Sequence, residues 1–245
     1  PASLNINAIR NKIETISKRP SKPLYQSPDK LISNDEIDGW INNLNLDQIK
    51  ASNDQQFGLV VMRSALRRFP TQQRAFDAQG GVDIDRLQES ALFPGTPVAI
   101  LHQSRDKQWL FVQAENYAAW INSKAIAIAT RQQVIDYVLR QPRLYISGSQ
   151  VRTVFNPMVK ELSELTLDMG SNFPVRIDWP LAKPVNDQGS LGSWVVDFPM
   201  RSNLGTLHFK QVLIPRSADT STTLLPASQA TIIKQGFKFI GERYG

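Results

Sequence analysis

The sequence contains no cysteine. That excludes a disulfide framework, a thiolate zinc cluster and a cysteine nucleophile anywhere in its 245 residues. It has only two histidines, His102 and His208, too far apart in sequence and too poorly supported by neighbouring ligand types to suggest a metal site or an acid–base pair. No apolar run approaches the ~18 residues of a membrane span, and no metal or cofactor is expected. Lys and Arg (28) outnumber Asp and Glu (22), giving a net charge of +6. The basic residues are scattered, with no run of five and no aromatic RNA-binding motif, so nucleic acid is not the expected partner. The surplus favours an anionic partner such as a membrane surface or a cell-wall polymer. The first stretch, "PASLNINAIRNKIETISKRP", lacks the charged-then-apolar build of a signal peptide.

What is present is modular. Residues 1–56 read as an extended arm carrying one short helix: "KRPSKPLYQSP" holds three prolines, and "SNDEIDGWINNL" opens with a cap and an acidic first turn. Ile37, Trp40, Ile41 and Leu44 share one face of that helix, a stripe for docking on a later domain. Residues 57–128 show short strands between turns ("GLVVMRS", "TPVAILHQS", "QWLFVQA", "AAWINS"), the pattern of a small barrel. "TRQQVIDYVLRQP" predicts a linker helix within 129–141, capped by Thr130 and stopped at Pro142. Strand signals return over 142–216, in "LYISGSQVRTVF", "LTLDM", "FPVRIDW", "GSWVVDFPM" and "GTLHFKQVLIP", and predict a second barrel. "MRSALRRFP" and "VRTVFNP" form a faint echo between the two. A Ser/Thr-rich tether and a helix occupy 217–245, with Ala230, Ile233, Phe237 and Ile240 on one face. The fold class expected is therefore mainly β: two small barrels joined by a helix, with an N-terminal clip and an unpartnered C-terminal helix.

Few residues suggest chemistry. "RSALRRFPTQQRAF" places Arg63, Arg67, Arg68 and Arg74 around Phe69, and guanidinium forks match carboxylates bidentately. A solvated loop face accounts for the same pattern, yet Arg67, Arg68 and Phe69 are the best candidates for substrate contact. Trp109, Trp120, Trp179 and Trp194 could stack on a ligand or fill the barrels. Asp83 and Asp85 in "VDIDR" alternate with Val82 and Ile84 as a solvated strand or loop edge would, not as a glycosidase pair. "GSLGS" lacks the lysine of a phosphate loop and is not a nucleophile elbow, so it reads as a turn.

The order Gly95, Val98, Ile100, Trp109, Val112, Trp120, Ile121 resembles the bacterial SH3-like (SH3b) domain, with Ala119 where a glycine is usual. "RLQESALFPGTPVAILHQSRDKQWLFVQ" is similar to the first SH3-like domain of a subgroup of NlpC-type cell-wall cysteine endopeptidases. "LTLDMGSNFPV" and "SWVVDFP" are similar to the second. "FKFIGERYG" resembles the helix leading into that family's Tyr-x-Trp-Gly-Gly segment and Asp-Cys-Ser nucleophile motif.

The resemblance implies a non-catalytic targeting and substrate-restricting region of a peptidoglycan γ-D-glutamyl-diamino-acid endopeptidase. Its first SH3-like domain would flank the active-site cleft, and its partners would be peptidoglycan or muropeptide and a catalytic domain expected to follow. Of the family's site residues only a substrate-holding tyrosine maps here, onto Tyr244. The chain alone would be inactive, with no catalytic residue of its own, and would reside in the periplasm or cell envelope, with or without a lipid anchor on a precursor. A stand-alone cell-wall binding module remains the alternative, and an adaptor for proline-rich peptides a third reading.

Overall fold

The computed structural model describes residues 5–27, 30–50, 56–77 and 81–242. Within the arm, the helix expected from sequence is present as α2 (Asn34–Asn43), and an additional helix, α1 (Ile6–Ile16), precedes it. Asn5 caps α1 by accepting from the Ala8 N–H at 2.7 Å, while Ser33 and Glu36 form a reciprocal capping box on α2. Between them, β1 (Tyr25–Ser27) and β2 (Lys30–Leu31) make a short hairpin.

The arm has no core of its own, and it borrows one. Ile9 and Ile13 of α1, Leu24 and Ile32 beside the hairpin, and Ile37, Trp40 and Leu44 of α2 are all buried in one cluster with Phe69, Trp109, Phe111 and Trp120; Ile41 packs at its margin. At roughly 1.5–3 kcal/mol for each large apolar side chain taken out of water, this contact easily outweighs single surface interactions. Polar latches fix its position. The Ser17 hydroxyl donates to the Arg68 carbonyl at 2.6 Å, the Trp120 indole donates to Ser17 Oγ at 3.2 Å, and Tyr25 exchanges two backbone hydrogen bonds of 2.8 Å with Phe76. His102 Nε2 sits 3.0 and 3.1 Å from the Leu44 and Asn45 carbonyls.

Seven strands build the first barrel: β3 (Gln56–Val60), β4 (Ser64–Arg67), β5 (Gln88–Leu92), β6 (Pro97–Gln103), β7 (Trp109–Gln113), β8 (Ala118–Asn122) and β9 (Ile126–Ala129). They pair in the order β5-β4-β8-β7-β6-β3-β9, antiparallel throughout. Two glycines are required by geometry. Gly95 turns the chain into β6 with φ +90°, and a Cβ on Gly58 would lie 2.6 Å from the Ala127 carbonyl across the β3–β9 pair. Ala119, in the position where the resembling family has glycine, is fully buried opposite Val112.

Helix α3 (Arg131–Leu139) starts at Thr130 with a second capping box, closed by Gln133. The second barrel follows as β10 (Arg143–Ile146), β11 (Gln150–Arg152), β12 (Thr166–Asp168), β13 (Asn172–Pro174), β14 (Ser193–Arg201), β15 (Leu207–Pro215) and β16 (Thr220–Ser221). Its sheets are β13-β10-β16, β11-β12 and the long hairpin β14-β15, closed over Leu144, Leu167, Phe173, Val196, Phe198 and Ile214. Each echoed stretch contributes a strand to an antiparallel pair, β4 with β5 and β11 with β12, although β4 also pairs with β8. The pairing of β16 with Tyr145 and Ile146 carries the second unit beyond residue 216, the end suggested by sequence.

The barrels meet on α3. Tyr137 is fully buried and stacks on Phe209 at 4.9 Å. The Ile128 N–H donates to the Gly205 carbonyl at 2.8 Å, and Arg201 Nε donates to the Ile126 carbonyl at 3.0 Å. Asp197, wholly inaccessible, is ringed by Arg140, Arg176 and Gln211 at 2.8–3.1 Å. The last helix, α4 (Gln229–Phe237), is different in kind: none of its residues is buried. Lys238, just beyond it, reaches Asp219 at 2.6 Å and the Ser147 carbonyl at 2.8 Å. Ile232, Ile233, Phe237 and Ile240 stay at least half exposed. Among the described residues no helix is long and apolar enough to cross a membrane.

Candidate functional site

The arginine-rich stretch leaves β4 toward the arm, and its residues separate sharply by environment. Arg67 and Phe69, expected as substrate contacts, are both interior. The Arg67 guanidinium donates to Asp85 at 2.8 Å, with the two side chains 5% and 7% exposed, and to the Gln73 carbonyl at 2.6 Å. Asp85 Oδ1 in turn accepts from the Ala75 and Leu87 N–H groups at 3.1 and 3.0 Å. This pair staples the long loop between β4 and β5, so Asp85 is no solvated loop edge. Phe69 is completely buried, 5.7 Å from the Trp40 ring, where it receives the arm. Neither residue can touch a solute without opening the core. Arg63 bonds across the barrel junction to Asp168 at 3.4 Å, and Arg74 lies 5.0 Å over the Phe76 ring. Tyr244 lies outside the described residues.

Of the four arginines in this stretch, Arg68 is the one whose guanidinium stays partly exposed beside a cavity. Its side chain is 31% exposed, with Nε 3.3 Å from the Ile16 carbonyl and 3.4 Å from Glu89 Oε1. Arg68 follows β4 just beyond the register shift between Leu66 and Arg67, and Ser17 of the arm ties down its backbone carbonyl. The cavity, about 570 Å³, is a groove between α1 and the β7–β8 hairpin, lined among others by Lys12, Ile16, Arg68, Glu89, Gln113 and Tyr117.

Its polar groups are already ordered. Lys12 Nζ donates to Gln113 Oε1 at 3.0 Å, and the Tyr117 hydroxyl donates to Glu89 Oε2 at 2.6 Å. The bond to Glu89, reinforced by partial burial and by the Glu89 charge, pushes the Tyr117 hydroxyl above its ordinary pKa, so it stays a proton donor. Two cations, a phenol, carboxamides and one carboxylate can bind a ligand rich in carboxylates and amides. No nucleophile–base pair is formed here, and among the described residues no group of three or more His, Asp or Glu could hold a metal ion. Sequence reasoning missed Lys12 and Tyr117. Lys12 sits on the helix that went unread, and Tyr117 sits in a hairpin turn whose residues resemble ordinary surface.

The tryptophans divide as well. Trp109 and Trp120 are buried in the joint core of arm and barrel. Trp179 and Trp194 are half-buried beside a second cavity of about 270 Å³ on the second barrel. His102 is a latch on the arm, its pKa depressed chiefly by burial against the hydrogen bonds to Leu44 and Asn45.

The family model for the SH3 domain (SH3b1 type) matches residues 73–122, the span from the long loop through β8 that walls the groove. A solved structure of a novel NlpC/P60 endopeptidase from Photobacterium damselae subsp. piscicida is similar to this chain, with a TM-score of 0.68 at 17% sequence identity. The likeness covers 92% of this chain and 46% of that one, so this chain spans about half the length of its structural relative. No curated protein matches the sequence. The chain therefore carries an SH3b-type domain and shares the fold of an NlpC/P60 endopeptidase over nearly all its length.

Proposed function

We propose that this chain is the non-catalytic, wall-binding region of a bacterial peptidoglycan stem-peptide endopeptidase of the NlpC type, and that it holds muropeptide in the groove between α1 and the first barrel. The observation that carries this reading is the groove itself: Lys12, Arg68 and Tyr117 converge there on the SH3b-type barrel, with donors suited to the carboxylates and amides of a stem peptide. A site of this kind restricts which peptide end can be presented and leaves bond cleavage to a separate domain. The fold likeness supports the same assignment, as does the bare apolar face of α4, which suits packing against a peptidase domain bearing a Cys–His pair. On this reading Tyr244 stands near the substrate, the bond cut is that between D-glutamate and the diamino acid, and the protein works in the periplasm or cell envelope.

The test is titration of the chain with a purified stem-peptide muropeptide, followed by backbone NMR. Shifts should cluster on α1 and the β7–β8 hairpin, and Arg68→Ala should weaken binding by about ten-fold, the equivalent of one charge-assisted hydrogen bond. Saturable binding that Arg68→Ala and Lys12→Ala both leave untouched would remove the groove from the account.

A further inference from the structure

Between β13 and β14 the chain runs irregularly through residues 175–192 and folds back on the β14–β15 hairpin. The cavity it encloses is bordered by Arg176, Trp179, Ser190, Leu191, Trp194 and Arg216. Its cations are of two kinds. Arg176 is committed to Asp197 through bonds of 2.8 and 3.1 Å. Arg216 lies with Cζ 3.7 Å from the Trp194 ring centroid, and its guanidinium makes no hydrogen bond or ion pair among the described residues. Lys183 is held similarly, 4.5 Å over Trp179, whose indole donates to the Lys183 carbonyl at 2.8 Å. A guanidinium stacked on an indole is fixed in place by its face while the N–H edge stays open to an acceptor.

Two further features point to a ligand. Ser190 is only 5% exposed, yet among the described residues its hydroxyl has no hydrogen-bond partner, against the rule that buried hydroxyls are paired. Around the mouth, Ile177, Leu181 and Leu191 are all well exposed, an apolar rim beside an unpaired cation. An inorganic anion would use the cation and leave the rim in water. A neutral sugar would use the indole edges and leave the cation unmatched. A cavity this small admits only a compact group.

We infer that this cavity binds the free C-terminal carboxylate of a short peptide with small aliphatic side chains. The carboxylate takes the edge of Arg216, and the aliphatic side chain covers Leu181 and Leu191. The site lies on the second barrel and does not depend on the groove beside α1.

The experiment is NMR titration of the full chain, uniformly labelled with nitrogen-15, reading the indole N–H signals. N-acetyl-alanyl-alanine should shift Trp179 and Trp194 saturably and leave Trp109 and Trp120 in place. Its C-terminal amide should bind about ten-fold more weakly, as should the free acid to Arg216→Gln, because each loses the charge-assisted pair. Arg216→Lys, which keeps the charge on a similar stem, should retain an intermediate affinity and shows whether the cavity survives substitution. Equal binding of acid and amide, equal binding by inorganic phosphate, or no saturable shift of either indole with the acid overturns the inference.

Discussion

Replacing Arg67 by methionine removes the cation from a pair sealed inside the first barrel. Asp85 keeps its two backbone donors, from Ala75 and Leu87, but loses the guanidinium 2.8 Å away. Stranding one partner of a buried ion pair costs about 3–5 kcal/mol. At roughly 2–4 °C per kcal/mol for a protein of this size, the melting temperature should fall by about 6–20 °C. Asp85→Asn should cost a similar amount, because Arg67 then lies buried without a counter-charge. The double substitution leaves no buried charge and preserves an acceptor for both N–H groups. Its cost should therefore fall short of the summed single costs by at least about 1 kcal/mol. Urea denaturation followed by tryptophan fluorescence supplies the three stabilities, and muropeptide titration under native conditions supplies the control. A folded Arg67→Met protein should bind muropeptide as the wild type does. If instead it keeps its stability within about 0.5 kcal/mol and loses binding, Arg67 is a ligand residue and the account of the site is wrong.

The His102 latch should make arm docking acid-sensitive. Burial lowers its folded pKa below the ordinary 6.5, so the unfolded chain binds the proton more readily, and stability present above that value is lost as pH falls through the folded pKa. The facing charges, Asp47 and Arg10, oppose one another. Urea midpoints between about pH 5 and 7.5 should therefore fall on acidification, and His102→Gln, which keeps a donor without a titratable ring, should flatten that dependence. An unchanged slope in the variant would exclude His102 as the sensor. At α4, Ile233→Asp with Phe237→Asp should change the stability of the chain by less than about 0.5 kcal/mol, since both side chains are solvated. Global unfolding of that variant by circular dichroism would mean that the helix is part of the barrels. If the chain is the wall-binding region proposed above, it should leave muropeptides uncut when incubated alone with them; cleavage that survives repurification and is lost on mutating one of its own residues would refute this.

Much of the architecture is legible because it is written in local periodicity. The strands β3, β6, β7 and β8 follow short apolar runs set between turns, α3 begins at the expected Thr130 cap, and the stripe of Ile37, Trp40 and Leu44 is buried against the first barrel. Helix α1 is equally legible in principle, with Ile6, Ile9, Ile13 and Ile16 at helical spacing. The interior role of Arg67 was not readable. Its counter-charge is eighteen positions away, across a loop whose length hides the pairing, and an inward arginine looks in sequence like any other loop cation. Phe69 is settled by Trp40, far upstream, for the same reason. "FPVRIDW" read as a strand, yet pairing stops at Pro174 apart from one bridge at Val175; Pro180 and Pro184 favour the irregular path that builds the second cavity. Both candidate sites thus arise where segments distant in sequence meet, which periodicity does not report.

The central claim, that the chain engages the cell wall through the groove beside α1, is tested most directly by co-sedimentation with purified peptidoglycan sacculi. The wild-type chain should pellet with sacculi, and the Lys12→Ala, Arg68→Ala double variant, folded by circular dichroism, should remain largely in the supernatant. A wild-type chain that stays in solution, or a double variant that pellets as well as the wild type, would contradict the account.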